Sequence, residues 1–363
     1  MQKIKSDRIF MGLKSVISVI CACALLSGGS PLFAAPQGAD VVQGDVTIEG
    51  NGSLTEIQAA DKAIINYDSF NITRDETVKF IQPAVDARVL NRIKGDMPTT
   101  IDGSLFANGI VYLTNPSGIM FGESSYVDVG GLRAAAGNIT NEDFLNNVNR
   151  FTDLSGPVVN AGEINAEIIN LVAQQVANSG DIVTGDNGMV SFATGKDVLI
   201  KESGGSMYVK LERRGSGEKA SVNNESEVGI ANSGSIDTGN NGQVSLAAGD
   251  VYSLAARNTG EIKGEDIMID GGESGVVNVQ GRVDASDDSP EGTGGHIEIV
   301  GDKVAVQDAF IDASGKQGGG EILIGGDYKG QGDTPTASQT YVDGDSTISA
   351  DALNEGDGGK VIV

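Results

Sequence analysis

Asn178–Ile200 reads NSGDIVTGDNGMVSFATGKDVLI, and Asn232–Leu254 reads NSGSIDTGNNGQVSLAAGDVYSL. Aligned without gaps at an offset of 54 residues, the two segments are identical at 12 of 23 positions. Self-similarity of this kind is the signature of a repeat architecture, in which no unit can bury its apolar face alone. A shorter unit recurs more widely: a small residue or Gly, any residue, then Ile or Val. Its apolar position falls at Ile164, Ile182, Ile236, Ile262, Val283, Ile311 and Ile348, in steps of 18, 54, 26, 21, 28 and 37 residues. Most steps suit one coil of a parallel β-solenoid. The 54-residue step contains Lys201–Glu227, among the most basic and least repetitive parts of the chain, which reads as a hairpin extruded from a coil.

Toward the C-terminus the unit changes wording. VDASDDSPEGTGGHIEIVGD (Val283–Asp302), IDASGKQGGGEILIGGD (Ile311–Asp327) and ISADALNEGDGGKVIV (Ile348–Val363) share a β residue, an Asp or Ser, Ala, a Gly-rich loop and an alternating strand. Fifty-two glycines without a period of three, no Trp and 5% aromatics fit short strands joined by tight corners, not collagen or an ordinary compact globule. Stacked coils pair each strand with its counterpart in the next coil and line Ile, Val and Leu into inward rows. About ten coils at ~4.8 Å each predict a rod of roughly 50 Å. The pattern allows one helix, Asn141–Val148, with Thr140 as its N-cap. Asp40–Phe70 has the strands and turns of an N-terminal cap. Gly359–Val363 stops in mid-strand, so the chain reads as the first portion of a longer protein.

The N-terminus sets the expected compartment. Lys3, Lys5, Arg8 and Lys14 precede an apolar run, Val16–Leu26, and a small-residue stretch with a cleavage zone near Ala34 or Ala35. That is the layout of a secretory signal peptide. Removing it takes four basic residues and one acidic residue, and the net charge moves from −25 to −28. Such a surface repels nucleic acid and anionic lipid. No later stretch has the ~20 apolar residues of a membrane span, so stable membrane insertion is not expected. Cys21 and Cys23 both lie in the leader, and the mature chain therefore has no disulfide, thiolate chemistry or Cys-based metal site.

Catalytic chemistry finds little purchase. Asp and Glu are plentiful, but nothing singles out a pair for glycoside hydrolysis, and aromatics for a sugar cleft are scarce. The single His, His296, falls on the outward side of an alternating strand, with Ile297 and Ile299 inward and Glu298 beside it. One His and no Cys exclude multi-His and Cys-His zinc sites within one mature chain. Asp284, Asp287, Asp288, Asp327 and Asp333 could offer oxygens to calcium, yet neither an EF-hand loop nor a nonapeptide array is present, and they read as solvated turn acids. No cofactor is expected.

Upstream of the repeats, the motifs fall in a fixed order. Asn66–Ile72 reads NYDSFNI and Val78–Pro83 reads VKFIQP. Leu90-Asn91-Arg92-Ile93 follows with Gly95, then Ile101–Leu105 (IDGSL) with Asn108-Gly109. Tyr112–Gly122 (YLTNPSGIMFG) and Val127–Leu132 (VDVGGL) close the series. Within it, Asn115-Pro116-Ser117-Gly118 has the composition of a type I turn. In order and spacing the series, roughly residues 40 to 150, resembles the N-terminal secretion domain of the filamentous haemagglutinin family, the exported partner in two-partner secretion.

The resemblance implies an all-β, right-handed parallel β-helix with an N-terminal cap, to which the repeats add the extra-helical hairpin. It also implies a signal peptide at 1–34, a secretion domain at 35–275 and further β-helix repeats at 276–363. It implies export through the periplasm of a double-membrane bacterium and recognition by the POTRA domains of a dedicated outer-membrane β-barrel transporter. The chain would cross that barrel unfolded and fold outside. A secreted, non-enzymatic, adhesin-like surface protein follows, with a host or neighbouring-cell glycan or protein as its target. A β-helical polysaccharide-degrading enzyme and a structural surface-layer fibre are the alternatives. The residues expected to carry the secretion motif are Asn91, Arg92, Ile93, Asn115, Pro116, Ser117, Gly118, Ile119, Phe121 and Gly122. Ser117 stands where the family has a second Asn, and the family's Asn-Pro-Asn-Leu motif is absent, with Gln82-Pro83-Ala84-Val85 only a distant counterpart.

Overall fold

The computed structural model describes residues 35–203, 206–211, 228–249, 252 and 254–363. The expected leader, residues 1–34, and residues 212–227 of the expected hairpin insertion lie outside the described residues. The rest forms a parallel β-helix. Among the described residues, each coil contributes one strand to a nine-stranded parallel sheet and either two strands or one long strand, as in Ser104–Thr114 and Tyr126–Ala135, to a larger sheet of 22 strands. In one coil these are Gln175–Asn178, Asp181–Val183 and Met189–Thr194.

The recurring apolar positions fall into one stacked row. Ile164 pairs with Ile182, Ile182 with Ile236, Ile236 with Ile262, Ile262 with Val283, Val283 with Ile311 and Ile311 with Ile348. Unequal steps in sequence therefore become one step in space, and the extra residues leave at the corners. The 54-residue offset is itself a pairing: Val190 faces Val244 and Phe192 faces Leu246. Inward residues of these rows are fully buried, except Ile348, which is half-buried. Each contributes about 1.5–3 kcal/mol by leaving water, realised only when neighbouring coils cover it.

The Asn-x-Gly steps make one corner. Asn160, Asn178, Asn232 and Asn258 end successive strands and are at most 1% exposed. The Asn160 amide donates to Asn178 Oδ1 (2.8 Å), Asn178 to Asn232 (2.9 Å) and Asn232 to Asn258 (2.8 Å). The Gly two residues later packs backbone to backbone. A Cβ on Gly234 would stand 2.1 Å from the Gly180 carbonyl oxygen. Only Gly lets the coils close at that spacing.

At the N-terminal end the pairing turns antiparallel. Asp40–Gln43 pairs with Ala63–Tyr67, and Val46–Asn51 folds back on Leu54–Ala59. Leu54–Ala59 and Ala63–Tyr67 then start the parallel ladders against Thr77–Ile81 and Arg88–Ile93. This is the expected cap, and it occupies what would otherwise be open edges.

A second apolar cluster lies on the outer face of the larger sheet. It joins Ile64, Leu90, Tyr112 and Val172 to Phe144, Phe151, Leu154, Val198 and Ile200. The covering elements are a short helix, Asn141–Leu145, and a three-stranded antiparallel sheet of Asn149–Phe151, Val198–Ser203 and Ser206–Leu211. The helix starts where expected, with Thr140 Oγ1 accepting from the Asp143 N–H (3.0 Å), and ends three residues earlier than expected. The hairpin begins at Val198, three residues before the basic stretch, because Val198 and Ile200 are needed to cover the outer cluster.

Candidate functional site

The corner at Asn115–Gly118 is built from its first side chain. Gly118 N–H donates to the Asn115 carbonyl (2.9 Å), closing the four-residue turn that the composition predicts. Asn115 Oδ1 accepts from the Ser117 N–H (2.9 Å), an Asx turn inside the β-turn. The same side chain's Nδ2 donates to the Met97 carbonyl and to Thr99 Oγ1, both at 3.0 Å. Asn115 N–H donates to the Ala135 carbonyl of the following coil (3.0 Å). Fully buried Asn115 thus ties its own corner to one neighbouring coil through its side chain and to the other through its backbone N–H. Gly118 has φ +118°, and a Cβ there would sit 3.0 Å from Pro157 Cδ.

Beyond the turn, Ile119 and Phe121 point inward between Thr99–Ile101 and Pro157–Asn160. Phe121 pairs with Asn160, so the asparagine ladder begins directly on its ring-bearing strand. Gly122 N–H donates to the Ile101 carbonyl (2.8 Å). Pro116, Ser117 and Gly122 are half-buried, and the Pro116 carbonyl accepts from Ser155 Oγ (2.7 Å).

Asn91, Arg92 and Ile93 lie on the preceding coil, with Arg92 paired to Thr114, the residue before Asn115. The two expected motifs are therefore neighbours. Asn91 faces inward, and its Nδ2 donates to the Tyr112 carbonyl (3.1 Å). Ile93 is 2% exposed. Arg92 faces outward, and its Nη2 donates to the Ile139 carbonyl (2.8 Å) and to Asn141 Oδ1 (2.9 Å). Partial burial pulls its guanidinium below the ordinary arginine value.

Other residues join them that the sequence did not single out. Lys62 Nζ donates to the Leu145 carbonyl in the last turn of the helix (2.7 Å), where a cation is favoured. Phe144 packs edge-on against Tyr112 at 5.1 Å, and the Tyr112 hydroxyl donates to Asn149 Oδ1 (2.7 Å). Arg133, 1% exposed, has its guanidinium 5.5 Å from the Tyr112 ring centre. Lys62 and Arg92 thus hold the 137–151 segment over the outer face. The available signal is the run Ile110–Thr114, buried at every position: an uninterrupted apolar strand implies cover on both sides.

Gln82 opens the stretch that is only a distant counterpart of the absent Asn-Pro-Asn-Leu motif. Its Nε2 donates to the Ala87 carbonyl (2.7 Å), and its backbone exchanges hydrogen bonds with the Asn108 side chain (2.8 Å each way). The acidic turns are also spent locally. Asp284, read from sequence as solvated, is only 6% exposed and is held by Arg282 and Ser286. Asp287 accepts from the Ser289 N–H, and Asp327 accepts from the Tyr328 N–H and Lys360. Among the described residues, no group of three His, Asp or Glu side chains is placed to hold a metal ion.

The chain is 32% identical over 189 residues to a heme/hemopexin-binding protein of Haemophilus influenzae, covering 49% of this chain and 21% of that protein. It is 38% identical over 119 residues to a second heme/hemopexin-binding protein of Haemophilus influenzae, covering 32% of this chain and 13% of the other. The matched part thus spans about a fifth or less of those relatives. The crystal structure of the HMW1 secretion domain from Haemophilus influenzae superposes with a TM-score of 0.74 at 28% identity, covering 87% of this chain and 84% of that one. These proteins are named for binding and for secretion, not for catalysis. The TPS secretion domain family matches residues 33–299, and the chain belongs to that family, whose members are exported across the outer membrane by a dedicated transporter.

Proposed function

We propose that this domain is the export address of an adhesin-like surface exoprotein, delivered through the periplasm and read by the POTRA domains of its transporter before it folds. The observation that carries this reading is the fate of the motif residues in the folded state. Asn91, Ile93, Asn115, Gly118, Ile119 and Phe121 are all buried. The Asn115 side chain spends its donors and an acceptor inside the β-helix. A transporter that reads these side chains must meet them in the unfolded chain, where they are free. A folded β-helix has no route back through a barrel, so folding outside also makes the passage one-way.

The test is binding of the purified POTRA domains to the chain held unfolded in low urea and to the same chain after folding. Capture of the unfolded chain, lost as β-structure forms, is the expected result. Equal capture of both states would overturn recognition before folding. Asn115→Ala together with Pro116→Ala should weaken capture of the unfolded chain; unchanged capture would remove these residues from the recognised motif.

Beyond the address, the reading assigns adhesion to a host or neighbouring-cell glycan or protein. The names of the Haemophilus relatives favour binding over catalysis, which sets the enzyme alternative behind it.

A further inference from the structure

The asparagine ladder stops at Asn258, whose counterpart in the next coil is Val279. Its last coil, Leu254–Asp270, carries Asp266 on the outer face of the larger sheet. From Asp266 a second row runs on in strict register: Asp266 pairs with His296, His296 with Glu321 and Glu321 with Lys360. The row alternates acid and base, one residue per coil, along a groove of about 800 Å³ floored by paired glycines. His296 Nδ1 stands 3.3 Å from Glu321 Oε2, and its Nε2 stands 3.6 Å from Glu298 Oε2. Lys360 Nζ reaches Glu321 Oε1 at 2.7 Å and Asp327 Oδ1 at 2.9 Å. Glu265, which also lines the groove, holds the His296 N–H through its backbone carbonyl (2.7 Å).

A polar groove of this size invites a ligand, but its charged groups already face one another across successive coils. What they select is the register of those coils. A one-residue slip of this strand would turn His296 inward and bring Ile297 out, breaking its pairings with both Asp266 and Glu321.

We propose that Asp266, His296, Glu321 and Lys360 form an ionic register lock that takes over where the asparagine ladder ends, so that the coils after Asp270 can be loosened by alkali or salt while those before it are unaffected. The two devices respond differently because one is neutral and enclosed while the other is charged and half-exposed. The Glu298 carboxylate beside His296, with the charges of Asp266 and Glu321, holds the imidazole above its ordinary value against the opposing effect of burial. Burial raises the Asp266 carboxyl, whose own contribution lies in the acid range below that of the imidazole, so the response to alkali rests on His296. A group whose value is raised by folding stabilises the fold below its unfolded value and loses that contribution as pH rises through the folded one. The His296 contribution is therefore present below the ordinary imidazole value, about 6.5, and is lost as pH rises through the raised one.

Hydrogen exchange of the folded chain, read strand by strand and corrected for intrinsic rates, tests this. From pH 6 to 8.5, protection of His296–Val300 and Glu321–Ile324 should fall about 2- to 5-fold, the range of half-exposed ion pairs. Ile168–Ala173 and Met189–Thr194 should not change. Raising salt from 50 to 500 mM at pH 6 should reproduce the loss, and His296→Gln should abolish its pH dependence. A uniform response along the chain would overturn the proposal, as would no response in the late coils or a pH response retained in His296→Gln. Because fraying of the last coil is present at both pH values, it cancels in the comparison. If His296→Gln fails to fold, Glu321→Gln carries the same test by reducing the salt response.

Discussion

The Asn178 side-chain amide donates to Asn232 Oδ1 at 2.9 Å, across 54 residues of sequence and a single step of the β-helix. Asn178 in turn accepts from Asn160, so it is a middle rung with a partner on each side. Each amide both gives and takes, which satisfies buried groups that would otherwise be costly. A ladder of this kind does more than stabilise. It makes any one-coil misalignment expose an amide to an apolar neighbour.

Asn178→Ala should accordingly cost more than loss of one hydrogen bond. It leaves the Asn232 oxygen without its donor, the Asn160 amide with the Gly162 carbonyl alone (3.2 Å) and the Gly180 carbonyl without the Asn178 amide, and we expect a loss of about 3 kcal/mol in urea unfolding at unchanged slope. Asn258→Val is the contrast. Only Asn232 donates to Asn258 Oδ1, and Asn232 Nδ2 keeps the Gly234 and Glu261 carbonyls at 3.4 and 3.3 Å. The next residue in that row is already Val279, so the expected loss is under about 1.5 kcal/mol. Equal losses in the two variants would mean that the ladder is not the source of the stability.

The repeats made the fold legible, and the site only in part. Identity between the 178–200 and 232–254 segments specifies which residues stack, because side-chain alternation leaves one register with all apolar groups inside. The asparagines stood in the same repeat without any mark of burial. Their burial follows from coil stacking, which no single repeat encodes. The extra-helical cover was harder still. Phe144 and Phe151 come from a segment without periodicity and Val198 from the end of a repeat, where identity has run out, and they meet Tyr112 and Leu90 only once the coils have formed. Arg92 was legible through the resemblance, but its grip on the helix depends on that later contact.

Ser117→Asn tests whether the departure from the family's usual wording matters to the fold. The Asn115 side chain takes the Ser117 N–H, not its hydroxyl, so the substitution should change stability by less than about 0.5 kcal/mol. Gly118→Ala should cost more than about 1 kcal/mol, since φ is +118° and the new methyl meets Pro157. Asn115→Ala should cost about 2–4 kcal/mol, because the Met97 carbonyl, Thr99 Oγ1 and the Ser117 N–H lose their partner together. The ranking of melting temperatures checks all three.

Acid should act locally at the 282–286 corner. Burial opposes ionisation of Asp284, but the Ser286 hydroxyl, the Arg282 guanidinium and the Ser286 N–H hold its carboxyl below the usual aspartate value. A lowered carboxyl stabilises the fold above its unfolded value, about 3.9, and the contribution disappears as pH falls through the folded value. Asp284→Asn should therefore narrow the stability difference between pH 6 and pH 3, with its largest effect at pH 6. A variant that loses the same amount at both pH values would show that packing, not charge, is what Asp284 supplies.

Arg92 and Lys62 should control the extra-helical cover without controlling the coils beneath it. Arg92 holds the start of the helix through the Ile139 carbonyl and Asn141, while Lys62 holds its end through the Leu145 carbonyl. The helix has five residues and could not persist unsupported. Arg92→Met keeps the apolar stem and removes the two charged hydrogen bonds, so protection of the Asn141–Leu145 amides should drop about tenfold in hydrogen exchange. Lys62→Met should give a smaller drop confined to the helix end, and the double variant should open the segment to limited proteolysis near Asn146. Strands such as Asp181–Val183, outside this contact, should keep their protection in all three variants. Loss of protection there as well would mean that the cover is part of the β-helix's own stability and not an addition held on by two cations.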